Sequence, residues 1–114
     1  MKKATMIVSV ILSAFVFQYC SSSKKATAAT TTSYSKDVIP IMQASCTPCH
    51  FPPDGRKEPL NSLETVKANI DHVIERVKLP KEDKKYMPFL SKKPALTADQ
   101  IALLEKWKAE GMPE

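Results

Sequence analysis

Cys46-Thr47-Pro48-Cys49-His50 places two thiols two residues apart and an imidazole directly after the second. These are soft ligands at short range. They could anchor a cofactor, share a metal, or cycle as a redox disulfide, and each use demands a different fold around them. The choice turns on the compartment and on what else the chain can supply.

The compartment is legible at the start. Met1-Lys2-Lys3 is a short basic opening, and Met6 to Phe17 (MIVSVILSAFVF) is an unbroken apolar run. That is the build of a secretory leader, expected over residues 1–19. It is shorter than the about 20 apolar residues of a spanning helix. Cys20 follows, then Ser21-Ser22-Ser23-Lys24-Lys25. The arrangement resembles a bacterial lipoprotein signal, in which that cysteine is lipidated and becomes the new N-terminus. Tyr19 stands where such signals usually carry a small residue. The rival cleavage site is Ala26-Thr27-Ala28, far past the apolar run. Three cysteines make an odd count for an exported chain. A lipid on Cys20 would leave the motif pair and no other. The expected place is the periplasmic face of a bacterial membrane, or the soluble periplasm if the leader is cut elsewhere.

Residues 20–33 are rich in Ser, Thr, Ala and Lys, with no periodicity and little to bury, so they read as a flexible tether. One small domain is expected from 34 to 114. The net charge of +5 falls to +3 without Lys2 and Lys3, and there are only two arginines, Arg56 and Arg76. That excludes a nucleic-acid footprint.

The domain reads as all-α, with three helices and long loops. The first is expected from about Ser35 to Ser45, with Pro40 in its first turn and Val38, Ile41 and Met42 on one face. The second is expected from about Ser62 to Val77. Asn61 and Glu64 stand at capping-box spacing, and Leu63, Val66, Ile70, Val73, Ile74 and Val77 form an apolar face. The third opens on Thr97-Ala98-Asp99-Gln100, another capping box, with Leu96 able to staple onto Ile101 and Gly111 as the stop. Trp107 belongs to the core, between the last helix and the first. Pro53-Asp54-Gly55 marks a turn. A core this thin, under loops this long, would gain from a large apolar group at its centre.

C-x-x-C-H is the attachment signature of c-type haem. Two thiols at that spacing can each add to one vinyl group of a porphyrin, and the next residue, His50, can ligate the iron. Attachment takes place outside the cytoplasm, in agreement with the leader. The rivals are poorer. A structural zinc site uses four ligands, and beyond Cys46, Cys49 and His50 the only other histidine is His72. A thioredoxin-like CTPC pair belongs in a βαβ setting that is missing. A disulfide across so small a loop would stabilise little.

An iron held by His50 has a second axial position. His72 falls on the solvent face of the second helix at about 100° per residue. Met42 precedes Cys46 by one turn and is expected in the core. Met112 follows the last helix in a tail expected to fray. Met87, in Lys85-Tyr86-Met87-Pro88-Phe89, remains, presented from a loop by a following proline.

With these residues in place the domain resembles a small monohaem class I c-type cytochrome. The likeness rests on Cys46–His50, on Met87-Pro88 in the late loop, and on the closing helix from Leu96-Thr97-Ala98-Asp99-Gln100-Ile101 through Trp107 to Gly111. It implies a cytochrome c-like fold wrapping one covalent haem c, Cys46 and Cys49 as its thioether links, and His50 and Met87 as iron ligands. In that family a proline carbonyl after the motif commonly orients the proximal histidine, which points to Pro59, with Pro52 and Pro53 as rivals. Phe51, Tyr86 and Phe89 flank the two ligands and are expected to wall the pocket, beside which an apolar cavity is expected. With both axial positions filled, the expectation is an outer-sphere electron carrier and not an enzyme. Its partners would be redox proteins, with acidic ones drawn to Lys81, Lys84, Lys85, Lys92 and Lys93. The alternative is a haem-based small-ligand sensor with a displaceable sixth ligand.

Overall fold

The computed structural model describes residues 30–114. The expected leader, Cys20 and most of the tether lie outside the described residues.

Three helices form and no strand is present among the described residues: α1 (Ile39–Cys46), α2 (Leu63–Lys78) and α3 (Ala98–Ala109). The all-α reading therefore holds. The first helical run differs in detail, because a π-helical turn, Tyr34–Val38, runs straight into α1. Pro40 sits in the first turn of α1, as expected, with the π-helical turn ahead of it. Its ring would crowd the carbonyl four residues back, and it has no N–H to offer. The chain meets this by widening the preceding turn: Val38 N–H donates to the Ser33 carbonyl and Ile39 N–H to that of Tyr34. Both bonds span five residues, as in a π-bulge.

The cap of α2 also differs. Ser62, not Asn61, is the N-cap, with extended φ/ψ of −139° and 161°. Its hydroxyl accepts from Thr65 N–H at 3.3 Å, and Thr65 Oγ1 accepts from Ser62 N–H at 3.2 Å. The capping box is displaced by one residue, and Glu64 serves only as a first-turn charge favourable to the helix dipole. At α3 the expected box forms: Thr97 and Gln100 exchange bonds of 2.9 and 3.2 Å. Gly111, at φ 84°, closes the helix. Gly111 N–H donates to Lys108 and Met112 N–H to Trp107, the paired bonds of a Schellman motif.

One core unites the helices. Val38, Met42, Val66, Leu104 and Trp107 are fully buried, with Tyr34, Ile41, Leu60 and Ile70 around them. Trp107 packs on Tyr34 with ring centroids 6.1 Å apart, as expected of a residue joining the last helix to the first. Helices α2 and α3 run antiparallel. Asp71 pairs with Lys108, and seven residues further along α2 Lys78 pairs with Glu105 at 2.6 Å, further back along α3. These exposed pairs set alignment more than stability, at about 0–1 kcal/mol each.

The tail does not fray. The Pro113 carbonyl accepts from the Trp107 indole at 2.8 Å and from Tyr34 N–H at 3.2 Å. Residues before the first helix are docked as well. Thr32 N–H donates to Glu110 Oε2 at 2.8 Å, and Lys106 Nζ donates to the Thr30 carbonyl at 3.0 Å. The Thr32 N–H bond is the main reason the Glu110 carboxyl titrates below its ordinary value.

The segment between α2 and α3 contains one 3₁₀ turn, Phe89–Ser91. Leu90 and Ser91 both have left-handed backbone, at φ 51° and 52°. For residues with a Cβ that conformation costs about 1–2 kcal/mol each.

Candidate functional site

The motif begins where α1 ends. Cys46 is its last residue, and Thr47 turns the chain into an extended conformation at φ −81°, ψ 156°. The Thr47 hydroxyl donates to the Gln43 carbonyl at 2.7 Å, which ties the turn back to the helix. His50 N–H donates to the Cys46 carbonyl at 3.1 Å. Two thiols and the imidazole are thus carried on a single hydrogen-bonded turn.

The loop after the motif folds back onto it. Gly55 N–H donates to Phe51, Lys57 N–H to Cys49, and Leu60 N–H to His50, at 2.9, 3.0 and 2.9 Å. Gly55 lies so close that a Cβ there would collide with the Pro48 and Cys49 carbonyls. The sequence marked Gly55 as part of a turn but carried no sign of this close approach.

This return loop fixes the imidazole. His50 Nδ1 lies 2.7 Å from the Glu58 carbonyl oxygen. A carbonyl can only accept, so Nδ1 carries the hydrogen, and in the neutral ring Nε2 keeps its lone pair for a ligand. The orienting carbonyl is therefore that of Glu58 and not that of Pro59, Pro52 or Pro53. Pro59 follows directly, so the acceptor belongs to an X-Pro peptide bond. A backbone acceptor carries no side-chain signature, which is why sequence reasoning missed Glu58.

Neither thiol of the motif is bridged. Cys46 is half-buried against the core, 3.8 Å from the Met42 sulfur, whereas Cys49 is exposed. Burial pushes the Cys46 thiol up to about 11. Its neutral form is favoured by folding, so the associated stability is complete below the ordinary thiol range near 9 and is lost as pH rises through about 11. In chain without attached haem, iodoacetamide at pH 8 is expected to label Cys49 rapidly and Cys46 at least tenfold more slowly. Peptide mass mapping over time checks this, and equal rates would refute it.

Met87 is held from the other side of the molecule's sequence. Its N–H donates to the Arg76 carbonyl in the last turns of α2 at 3.2 Å. It is half-buried between buried Tyr86 and buried Pro88. The motif is tied to its own return loop and Met87 to α2, and the Glu58 carboxylate of that loop accepts from Asn69 Nδ2 of α2 at 3.4 Å. Of the three aromatic residues expected to wall a pocket, Tyr86 is buried and Phe51 packs on the core, but Phe89 is 49% exposed. The two cavities described are open clefts of about 530 and 410 Å³, and neither is lined by Cys46, Cys49, His50 or Met87. The loops meet the motif directly, through the Gly55 and Leu60 contacts, and leave its outer face open.

Met42 and His72 lie as expected, whereas Met112 is held in place rather than in a frayed tail. Met42 is core. Met112 is half-buried against the core and is held by the Schellman bond. His72 is exposed, with Nδ1 3.7 Å from Glu75. Among the described residues no three His, Cys, Asp or Glu side chains converge as a metal-binding group, short of the four ligands of a closed zinc site. Compared with protein-family models, with curated proteins and with solved structures, the chain matches none.

Proposed function

We propose that this chain is a small monohaem c-type cytochrome, with a cytochrome c-like arrangement of its three helices, that carries electrons in the cell envelope. The observation that carries the reading is the His50 imidazole, locked through Nδ1 to the Glu58 carbonyl and leaving Nε2 to ligate, one residue after two unbridged thiols. A second-sphere carbonyl of this kind is the usual partner of a metal-bound histidine. The donor set fits haem c: Cys46 and Cys49 would hold it covalently, and His50 and Met87 would ligate its iron. When bound, such a haem supplies one-electron exchange between ferric and ferrous iron.

The chain's own residues do the rest. The Glu58 carbonyl fixes the orientation of the imidazole through Nδ1. Cys46, sunk beside Met42, fixes one edge of the attachment to the core. The Arg76 carbonyl and the buried flanks Tyr86 and Pro88 position the Met87 backbone. With His50 and Met87 both engaged, no position remains for a substrate, so the reading is a carrier and not an enzyme. Its partners would be redox proteins, reached from an N-terminal lipid on Cys20 at the membrane surface.

The test is a visible spectrum of protein made in a host that attaches c-type haem. Sharp bands on reduction are expected, together with a weak long-wavelength ferric band that disappears in Met87→Ala. Haem without that band in the unaltered protein would reject Met87 as ligand. It would favour the alternative, a sensor with a displaceable sixth ligand, which carbon monoxide binding to the reduced protein would reveal.

A further inference from the structure

The chain has two glycines, and each is there for a different reason. Gly111 is needed for conformation: its φ of 84° is left-handed, and open space lies where its Cβ would stand. Gly55 is the reverse case. Its φ lies outside the left-handed region, so conformation does not call for glycine. Yet a Cβ there would overlap the carbonyl oxygens of Pro48 and Cys49. Those are backbone atoms, which cannot swing aside as the end of a side chain would. Space alone demands glycine at 55.

The bonds that follow show what this close approach serves. The Cys49 carbonyl oxygen that a Cβ would strike is also the acceptor of Lys57 N–H at 3.0 Å. Glu58 is the next residue, and its carbonyl oxygen lies 2.7 Å from His50 Nδ1. Leu60 is buried in the core, and its N–H donates to the His50 carbonyl at 2.9 Å. The orienting carbonyl is thus suspended between a core anchor at Leu60 and a contact at Gly55 that admits no side chain. Lifting Gly55 away from Cys49 strains the Lys57 bond first. The Glu58 carbonyl, one residue on, moves with it, while the buried end at Leu60 cannot follow.

We propose that Gly55 is a positioning residue for the His50 ligand: it lets the return loop lie against the Pro48 and Cys49 carbonyls and so sets the Glu58 acceptor that fixes the imidazole. The proposal rests on the haem reading. It concerns how firmly the ligand is held and not whether haem attaches, since both thiols are left in place. A hydrogen bond at the far nitrogen of a metal-bound imidazole fixes the ring and raises its basicity. Losing the acceptor therefore frees the ring and favours reduced iron.

The test compares Gly55→Ala with Gly111→Ala, both made in a host that attaches c-type haem. Intact mass of the unaltered protein is read first, and chain without haem would overturn both readings together. In the reduced, haem-loaded protein the His50 Nδ1 proton is expected as a distinct NMR resonance, slow to exchange with water. In Gly55→Ala it should exchange about tenfold faster, and the midpoint potential should rise. Gly111→Ala should lower Tm, because alanine is strained at that backbone angle, but leave the Nδ1 resonance and the potential unchanged. That contrast separates positioning from a general loosening of the fold. A Gly55→Ala protein that keeps both the protected proton and the potential would overturn this proposal alone, whatever its Tm. So would a Gly55→Ala chain that takes up no haem while Gly111→Ala loads fully, because the glycine would then serve attachment instead.

Discussion

Chain carrying both Cys46→Ala and Cys49→Ala, made with c-type haem maturation, is expected to have the mass of polypeptide alone. Unaltered chain should be heavier by one haem, and the added mass should survive denaturation. The effect is all or none because covalent attachment needs sulfur, and these two are the cysteines that the fold sets on one turn with His50. Each single substitution should retain one thioether and show an altered spectrum. His50→Ala separates attachment from ligation: it keeps both thiols but removes the nitrogen that Glu58 orients. If the unaltered protein carries no added mass under these conditions, the electron-carrier reading falls with it.

Trp107→Ala is expected to unfold most of the molecule. Trp107 is wholly buried, stacks near Tyr34, and donates its indole N–H to Pro113. Truncating a buried tryptophan costs about 3–5 kcal/mol, against a total of roughly 5–15 kcal/mol for a domain. A small core sits toward the lower end of that range. Urea melts followed by circular dichroism measure the loss. Trp107→Phe should lose less, because it keeps a ring against Tyr34 and the Pro113 carbonyl keeps its bond from Tyr34 N–H. A loss below about 1 kcal/mol for Trp107→Ala would show that the core is centred elsewhere.

What the sequence disclosed follows the reach of each interaction. The box at Thr97 and the stop at Gly111 were legible because a cap is settled within a few residues. The same logic misplaced the start of α2 by one residue. Asn61–Glu64 and Ser62–Thr65 have equal spacing, and only the extended backbone at Ser62 decides between them. Pro40 announced a constraint without its remedy, since widening a turn leaves no mark in side-chain identity. At the site, the sulfur and imidazole ligands could be named from spacing and chemistry. The groups that orient them could not. The Glu58, Arg76 and Pro113 carbonyls are backbone atoms that every residue type possesses, and tertiary folding alone selects them.

The Pro113 carbonyl has a topological meaning. By accepting from both Tyr34 and Trp107 it brings the segment that enters the helices and the segment that leaves them to one point. Glu110 and Lys106 extend that seam to Thr32 and Thr30. The packed unit is thus a closed ring in all but covalency. A short bridge could join its ends there, and the chain could be opened instead at an exposed loop such as residues 81–85 without reordering the core. A fused partner at either end would emerge from the same spot, alongside any N-terminal anchor.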